Sequence, residues 1–243
     1  MTVYYLLPPM TQSNSYNIPR HVALILDGNR RWAKENGVSS LKGHYRGRET
    51  ARKAAEAFFD RGVEAVSLYA FSSENWNRKK EEVDYLMKLL RTTIEEEMEK
   101  ISQKKYRILV SGRWQELPGK LPEKCRELME KSKEYPAGTI NFCLNYGGRQ
   151  EIVDAVRGML RDGFSKEQIT EEELSEYLYN SEEIPEPDVI ARTSGEKRLS
   201  GYQLWRSAYS EFIFLDKYWP DFSEEDVDHI ISEYSRRKRR FGK

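Results

Sequence analysis

Short apolar runs alternate with amphipathic stretches along this chain, which predicts parallel strands with helices between them. The first run, Val22 to Leu26 (VALIL), has no polar interruption and reads as a strand buried on both faces. VEAVSLYAF (63–71), YRILVSG (106–112), TINFCLNY (139–146), DVIAR (188–192) and EFIFLD (211–216) read as further strands. Between them the apolar spacing becomes helical. Ala51, Ala54, Ala55, Phe58 and Phe59 form one stripe, ended by Gly62. Val83, Leu86, Met87, Leu90, Ile94, Met98 and Ile101 form a longer one. Leu121, Cys125, Leu128 and Met129 mark another helix, and Ile152, Val153, Val156 and Leu160 the next. Thr170 with Glu173 reads as a capping box, and Ser223 caps a final helix carrying Val227, Ile230, Ile231 and Tyr234. The predicted fold class is α/β, a single domain with a central six-stranded, mainly parallel sheet flanked by helices. Ligands of such sheets bind beyond the carboxyl ends of the strands.

Composition narrows the function classes. Lys+Arg and Asp+Glu balance at 40 each in 243 residues, without the basic excess of a general nucleic-acid binder. Cys125 and Cys143 have neither CxxC spacing nor histidine neighbours, so they read as reduced thiols of a cytoplasmic protein. The start, MTVYYLLPPM, lacks a basic first region and is interrupted by Pro8 and Pro9, so it fits neither a signal peptide nor a spanning helix. Residues 1–17 read as a loosely ordered arm, with peripheral membrane contact as the alternative, and 18–243 as the domain.

Polar clusters fall at the strand ends. After VALIL come Asp27, Gly28, Asn29, Arg30, Arg31 and Trp32. Gly28 lets the backbone turn and approach a ligand, and the arginines supply forked donors matched to phosphate. One carboxylate among these cations suits Mg²⁺ bridging it to a diphosphate. A capped turn with solvated arginines is the alternative. After the second strand comes SSENWNR (72–78), a turn with a core tryptophan or a substrate lid. After DVIAR comes TSGEKRLS (193–200), where Arg192, Arg198 and Ser200 can converge on a second phosphate group or simply form a solvated loop. His44 is a phosphate donor or a surface histidine. No GxxxxGK[ST], GxGxxG or GxSxG motif is present, which argues against a P-loop nucleotide site.

These segments together resemble the cis-prenyltransferase family, the undecaprenyl diphosphate synthase-like enzymes. HVALILDGNRRWA, GH at 43–44, SLYAFSSENWNR, NYGGR, RTSGEKRLSGYQLW and YSEFIF stand in the family order, from about His21 to Gly242. The resemblance implies a Mg²⁺-dependent transferase that condenses isopentenyl diphosphate onto an allylic prenyl diphosphate, giving a Z-polyprenyl diphosphate, by default a glycan-carrier lipid precursor. It places the allylic diphosphate at Asp27, Gly28, Asn29, Arg30, Arg31, Trp32 and His44. Isopentenyl diphosphate goes to Arg192, Arg198 and Ser200, with Arg78 assisting. Phe71, Ser72, Asn75 and Trp76 then surround the reacting groups, Asn75 with a catalytic part beside Asp27. Glu211 matches a family acid that contacts metal along with Asp27. Arg240 belongs to a terminal RxG that reaches the neighbouring subunit of a homodimer. The apolar product implies a hydrophobic tunnel, with the Val83–Ile101 stripe as one wall. A non-catalytic accessory subunit of a heteromeric enzyme is the alternative, against which Asp27, Arg192, Arg198 and Ser200 are all retained. Two departures stand out. Arg30 replaces a glycine common in bacterial relatives, and Ser39-Ser40 replaces an arginine near the first diphosphate. Arg30 is expected to take over from that missing cation.

Overall fold

Every residue of β1 (His21–Ile25) is buried, because this strand lies inside the sheet with helices on both faces. In the computed structural model, which describes residues 17–237 apart from the side chains of 97–102, β1 is joined by β2 (Ala65–Ser72), β3 (Arg107–Ser111), β4 (Thr139–Tyr146), β5 (Val189–Arg192) and β6 (Glu211–Phe214). The order is β3-β4-β2-β1-β5-β6 and every pairing is parallel, so "mainly parallel" becomes wholly parallel. The helices are α1 (Asn29–Glu35), α2 (Ser40–Asp60), α3 (Lys80–Lys104), α4 (Leu121–Ser132), α5 (Gly148–Arg161), α6 (Glu171–Glu176) and α7 (Glu224–Arg236).

This topology makes a crevice at one point. β1 leads to its neighbour β2 on one side, whereas β5, its neighbour on the other side, leads away to β6. The loops leaving β1 and β5 diverge and open a space above the carboxyl ends of those two strands, the switch point at which open α/β sheets bind ligands. The register Ile25↔Arg192 puts Asp27 and Arg192 at that point.

Two helices differ from the sequence reading. α2 begins eleven residues before Ala51, with Ser39 accepting a hydrogen bond from the Lys42 N–H. Its early turns carry Gly43 and Gly47, where α1 lies so close that a Cβ would stand 2.3 Å from the Asn29 carbonyl and side-chain oxygens, respectively. On α5, Val153 and Leu160 are 46% and 58% exposed. Ile152 and Val156 pack against the core as expected, beside a buried face of Glu151, Ala155 and Met159, where the Tyr146 hydroxyl donates to Glu151 inside the protein. Met98 and Ile101 of the long stripe lie outside the described side chains, and the Val83, Leu86, Met87 and Ile94 part is buried as expected. The Cys125 and Cys143 thiols are free and buried, and burial pushes Cys125 up to about 11. They are inert at neutral pH.

His21 is wholly buried, its Nδ1 2.7 Å from the Pro185 carbonyl and its Nε2 2.8 Å from Ser67 Oγ. The carbonyl can only accept, so Nδ1 carries the proton and the ring is neutral. Burial lowers its pKa to about 3. In the unfolded chain histidine titrates near 6.5. The unfolded state therefore binds the extra proton between these values, and this contribution to stability, complete above about pH 6.5, is lost as pH falls toward 3. Urea unfolding from pH 7 to 4.5 is expected to show His21→Gln with a shallower acid loss than wild type, by up to about 1.4 kcal/mol per pH unit. Equal slopes would show that His21 is not the titrating group.

Candidate active site

The segment after β1 is tied across the crevice. The Asp27 N–H donates to Thr193 Oγ1 at 3.1 Å, Thr193 Oγ1 donates back to the Asp27 carbonyl at 2.6 Å, and the Trp219 N–H donates to the same carbonyl at 3.0 Å. Gly28 follows with φ +109°, and a Cβ there would stand 2.7 Å from the Tyr218 ring, so this turn needs glycine on both counts.

The Asp27 carboxylate is held between two guanidinium groups. Arg192 Nη2 lies 2.7 Å from Oδ2 and Arg31 Nη2 lies 3.1 Å from Oδ1. Partial burial alone would raise this carboxyl, but hydrogen bonds from Arg192 and Ser194 and the charges of Arg192 and Arg31 outweigh it and hold the pKa below its ordinary value. The group is ionised at neutral pH. Arg192 is 4% exposed and its Nη1 also donates to Ser200 Oγ at 2.8 Å and to the Arg198 carbonyl. Arg31 Nη2 donates to Ser194 Oγ at 2.7 Å, and Nη1 reaches Glu196 at 3.2 Å. Arg198 also pairs with Glu196, and its side chain is mostly exposed. The β5 loop holds these contacts with non-glycine residues in left-handed conformations, Ser194 at φ 79° and Ser200 at φ 50°. Such positions persist only where surrounding contacts enforce them.

Opposite this cluster stands a second one. Glu82 Oε1 accepts from Arg78 Nη1 at 2.9 Å and lies 3.3 Å from His44 Nε2 and 4.0 Å from Arg30 Nε. Partial burial would raise Glu82, but the charges of Arg78 and Arg30 and the contact with His44 keep it low. Burial first, then the Arg78 charge, lowers His44, so its ring is neutral and donates Nε2–H to Glu82.

Both clusters border a cavity of about 750 Å³. Asp27, Asn29, His44, Arg78, Arg192 and Ser200 line its polar mouth, with Phe71, Ser72 and Asn75 on one side. Its interior is largely apolar, walled by α2, α3, α4 and the sheet through Ala51, Leu90, Leu128, Leu68, Val110 and Leu144, with Arg48 and Glu96 also in the lining. The Asn29 Oδ1 atom is buried without a hydrogen-bond partner, which leaves an acceptor beside the mouth. Asn75 Oδ1 accepts from the Ser72 N–H at 3.1 Å and so shapes the turn after β2.

The structure thus brings together most of the residues singled out from the sequence, with exceptions. Trp32 donates its Nε1–H to Asp221 at 2.8 Å and does not line the cavity, so it anchors α1. Trp76 packs edge-on against Phe71 at 5.0 Å, donates to Asn145, is 38% exposed and does not line the cavity. Glu211 pairs in register with Val189 at the start of β6, whereas Asp27 follows the far ends of the strands. Within one chain the two carboxylates therefore stand at opposite ends of the sheet, and Glu211 instead meets Arg237 at 2.7 Å. The expected metal pair is not assembled within this chain. Arg240 lies outside the described residues. Glu82 went unrecognised in the sequence. Arg78 and Glu82 are spaced i, i+4 at the start of a helix, a signal that could have exposed the pair.

Comparison with known proteins follows the same lines. A family profile described as "Putative undecaprenyl diphosphate synthase" matches residues 25–242. An isoprenyl transferase of Fusobacterium nucleatum is 48% identical over 93% of this chain and 96% of its own length. A ditrans,polycis-undecaprenyl-diphosphate synthase of Micrococcus luteus, (2E,6E)-farnesyl-diphosphate specific, is 42% identical over 94% of this chain and 93% of its own. Among solved structures, lavandulyl diphosphate synthase from Lavandula x intermedia, in complex with dimethylallyl diphosphate, superposes with a TM-score of 0.86. It is 31% identical and covers 93% of this chain and 99% of that one. A probable undecaprenyl diphosphate synthase from Campylobacter jejuni gives 0.78 at 30% identity, covering 93% of this chain and all of its own.

Proposed function

Because the chain belongs to the undecaprenyl diphosphate synthase family and is a prenyltransferase, we propose that it condenses isopentenyl diphosphate onto an allylic prenyl diphosphate and repeats the cycle to give a Z-polyprenyl diphosphate. The observation that carries this reading is the Asp27 carboxylate, flanked by Arg31 and Arg192, at the polar mouth of a cavity with an apolar interior. One end suits diphosphates and the other an isoprenoid chain.

In this reading Arg31, with Arg30 and His44 nearby, holds the allylic diphosphate. Arg192, Ser200 and Arg198 hold isopentenyl diphosphate, with Arg78 across the mouth. The isopentenyl π electrons form the new carbon–carbon bond as the allylic carbon–oxygen bond breaks, and loss of a proton leaves the new double bond. The residues contribute positioning and stabilisation of charge on the leaving diphosphate, which needs no protein nucleophile. Asp27 suits Mg²⁺, a hard cation that takes one or two carboxylates with phosphate oxygens, and when bound the ion neutralises leaving-group charge. Among the described residues no cluster of three or more His, Cys, Asp or Glu forms a closed metal site, which fits a metal that arrives with the diphosphate. The growing chain occupies the cavity as its tunnel. A homodimer with Arg240 reaching across, a cytoplasmic location and a glycan-carrier product complete the proposal. No described helix is long and apolar enough to cross a membrane.

The test is incorporation of labelled isopentenyl diphosphate into butanol-extractable product from farnesyl or geranylgeranyl diphosphate. Product is expected with Mg²⁺, absent with EDTA, and restored on adding Mg²⁺. No product from the folded chain with any starter would favour the accessory-subunit reading. Arg30 gives a finer prediction. Its side chain is 61% exposed and reaches toward the His44–Glu82 cluster rather than Asp27. If it replaces the missing cation, Arg30→Gly raises KM for the allylic substrate by about fivefold, the effect of one solvated charge contact. An unchanged KM would remove that role.

A further inference from the structure

α2 and α3 face each other across the cavity, and charge joins them at two levels. At the mouth His44 and Arg78 meet Glu82. Glu82, Leu86, Leu89, Thr93 and Glu96 recur at steps of three and four and so share one face of α3. His44, Arg48, Ala51 and Ala55 do the same on α2. The α3 face is thus charged at both ends and largely apolar between. At the second level Arg48 Nη1 stands 3.1 Å from Glu96 Oε2, an ion pair without the alignment of a hydrogen bond. The two side chains are 16% and 40% exposed, and both line the cavity. The Arg48 guanidinium also lies over the Tyr45 ring at 4.8 Å, which holds it in place. Along α3 the pair lies away from the mouth, Glu96 being fourteen residues beyond Glu82, about 21 Å of helix, whereas along α2 Arg48 is one turn beyond His44.

We propose that the Arg48–Glu96 pair is a charged stop in the cavity wall that limits the length of the polyprenyl product. The proposal rests on reading the cavity as the tunnel of a chain-elongating prenyltransferase. Each unit added to an isoprenoid chain is favoured while it buries itself against apolar side chains such as Leu86, Leu89 and Leu90. A chain end arriving at Arg48 and Glu96 must strip water from a guanidinium and a carboxylate, or part them, and has no polar atom to offer in return. Further growth in that direction is therefore opposed at this level, while the additions before it are untouched. A partly exposed pair of this kind adds little to fold stability.

The experiment is the product ladder from labelled isopentenyl diphosphate and a fixed allylic starter, resolved by chain length. The double variant Arg48→Leu/Glu96→Leu makes this part of the wall apolar. Its modal product is expected to be longer than wild type by one or more isoprene units, with a first-addition rate within about twofold of wild type. The exchange Arg48→Glu/Glu96→Arg keeps both charges and is expected to keep the wild-type ladder. Arg48→Met, which preserves side-chain length and removes one charge, guards against misfolding of the double variant and is expected to lengthen the product as well. A wild-type ladder from the folded apolar double variant or from Arg48→Met would overturn the proposal. So would an exchange variant that lengthens the product as much as the apolar one, because size rather than charge would then be responsible. No prenyl product from the wild-type chain would overturn the parent reading together with this one, whereas wild-type product with unchanged variant ladders overturns this one alone.

Discussion

Asp27→Asn is expected to lower kcat for isopentenyl addition by about 10³-fold without unfolding the protein. The amide keeps the shape of the side chain and removes its charge. In the structure that charge is partnered on both oxygens, by Arg192 and by Arg31, which hold it ionised. The carboxylate therefore anchors the two arginines and offers a hard oxygen donor to a cation arriving with a diphosphate. The amide does neither job well. Ground-state binding responds differently. With the carboxylate gone, Arg31 and Arg192 face the incoming diphosphate without a competing anion, so diphosphate affinity without metal is expected to hold or improve. Single-turnover kinetics with calorimetric titration of the diphosphate separate the two effects. A variant that loses affinity and rate in equal proportion would place Asp27 in substrate binding rather than in leaving-group stabilisation.

Arg192→Lys is expected to lower kcat/KM for isopentenyl diphosphate by about 10²- to 10³-fold, with KM for that substrate rising more than KM for the allylic one. The guanidinium serves Asp27 with one nitrogen and Ser200 and the Arg198 carbonyl with another, from a side chain only 5% exposed. An ammonium on a flexible stem is a point charge and cannot span both sides of the crevice. Satisfying Asp27 would release the loop in which Ser200 is held in a left-handed conformation, and satisfying the loop would leave Asp27 with Arg31 alone. The stability cost is expected to stay below the 3–5 kcal/mol typical of deleting one partner of a buried pair, because the positive charge remains. Thermal melting alongside the kinetics checks this. Equal rises in both KM values would mean that Arg192 orders the whole mouth rather than one subsite.

The residues legible in advance were those whose role follows from local chemistry. All six strands could be read, because continuous runs such as VALIL are what a doubly covered parallel strand requires, and their observed bounds lie within two residues of the predicted ones. The arginines, hydroxyls and Asp27 at the strand ends could be read because ligands of such sheets bind there. The first part of α2 was not legible. Glycines at 43 and 47 count against a helix in isolation, and only the close approach of Asn29 explains them. The inner face of α5 was read only in part, through Ile152 and Val156, because a buried carboxylate, Glu151, paired with Tyr146, looks polar in a sequence.

What the sequence determined by itself was the order of elements and the kinds of side chain that stand at the strand ends, since both depend on periodicity and residue chemistry within short segments. The tertiary structure decided which of those side chains meet. Asp27 and Arg192 are 165 residues apart, yet they touch because β1 and β5 are neighbours whose onward connections diverge. Glu82 gathers His44, Arg78 and Arg30 because α2 and α3 start at the same end of the sheet. Glu211 stays away from Asp27 because it opens its strand whereas Asp27 follows the end of another. Strand polarity and neighbour order are properties of the assembled sheet, and no local pattern of hydrophobic and polar residues encodes them.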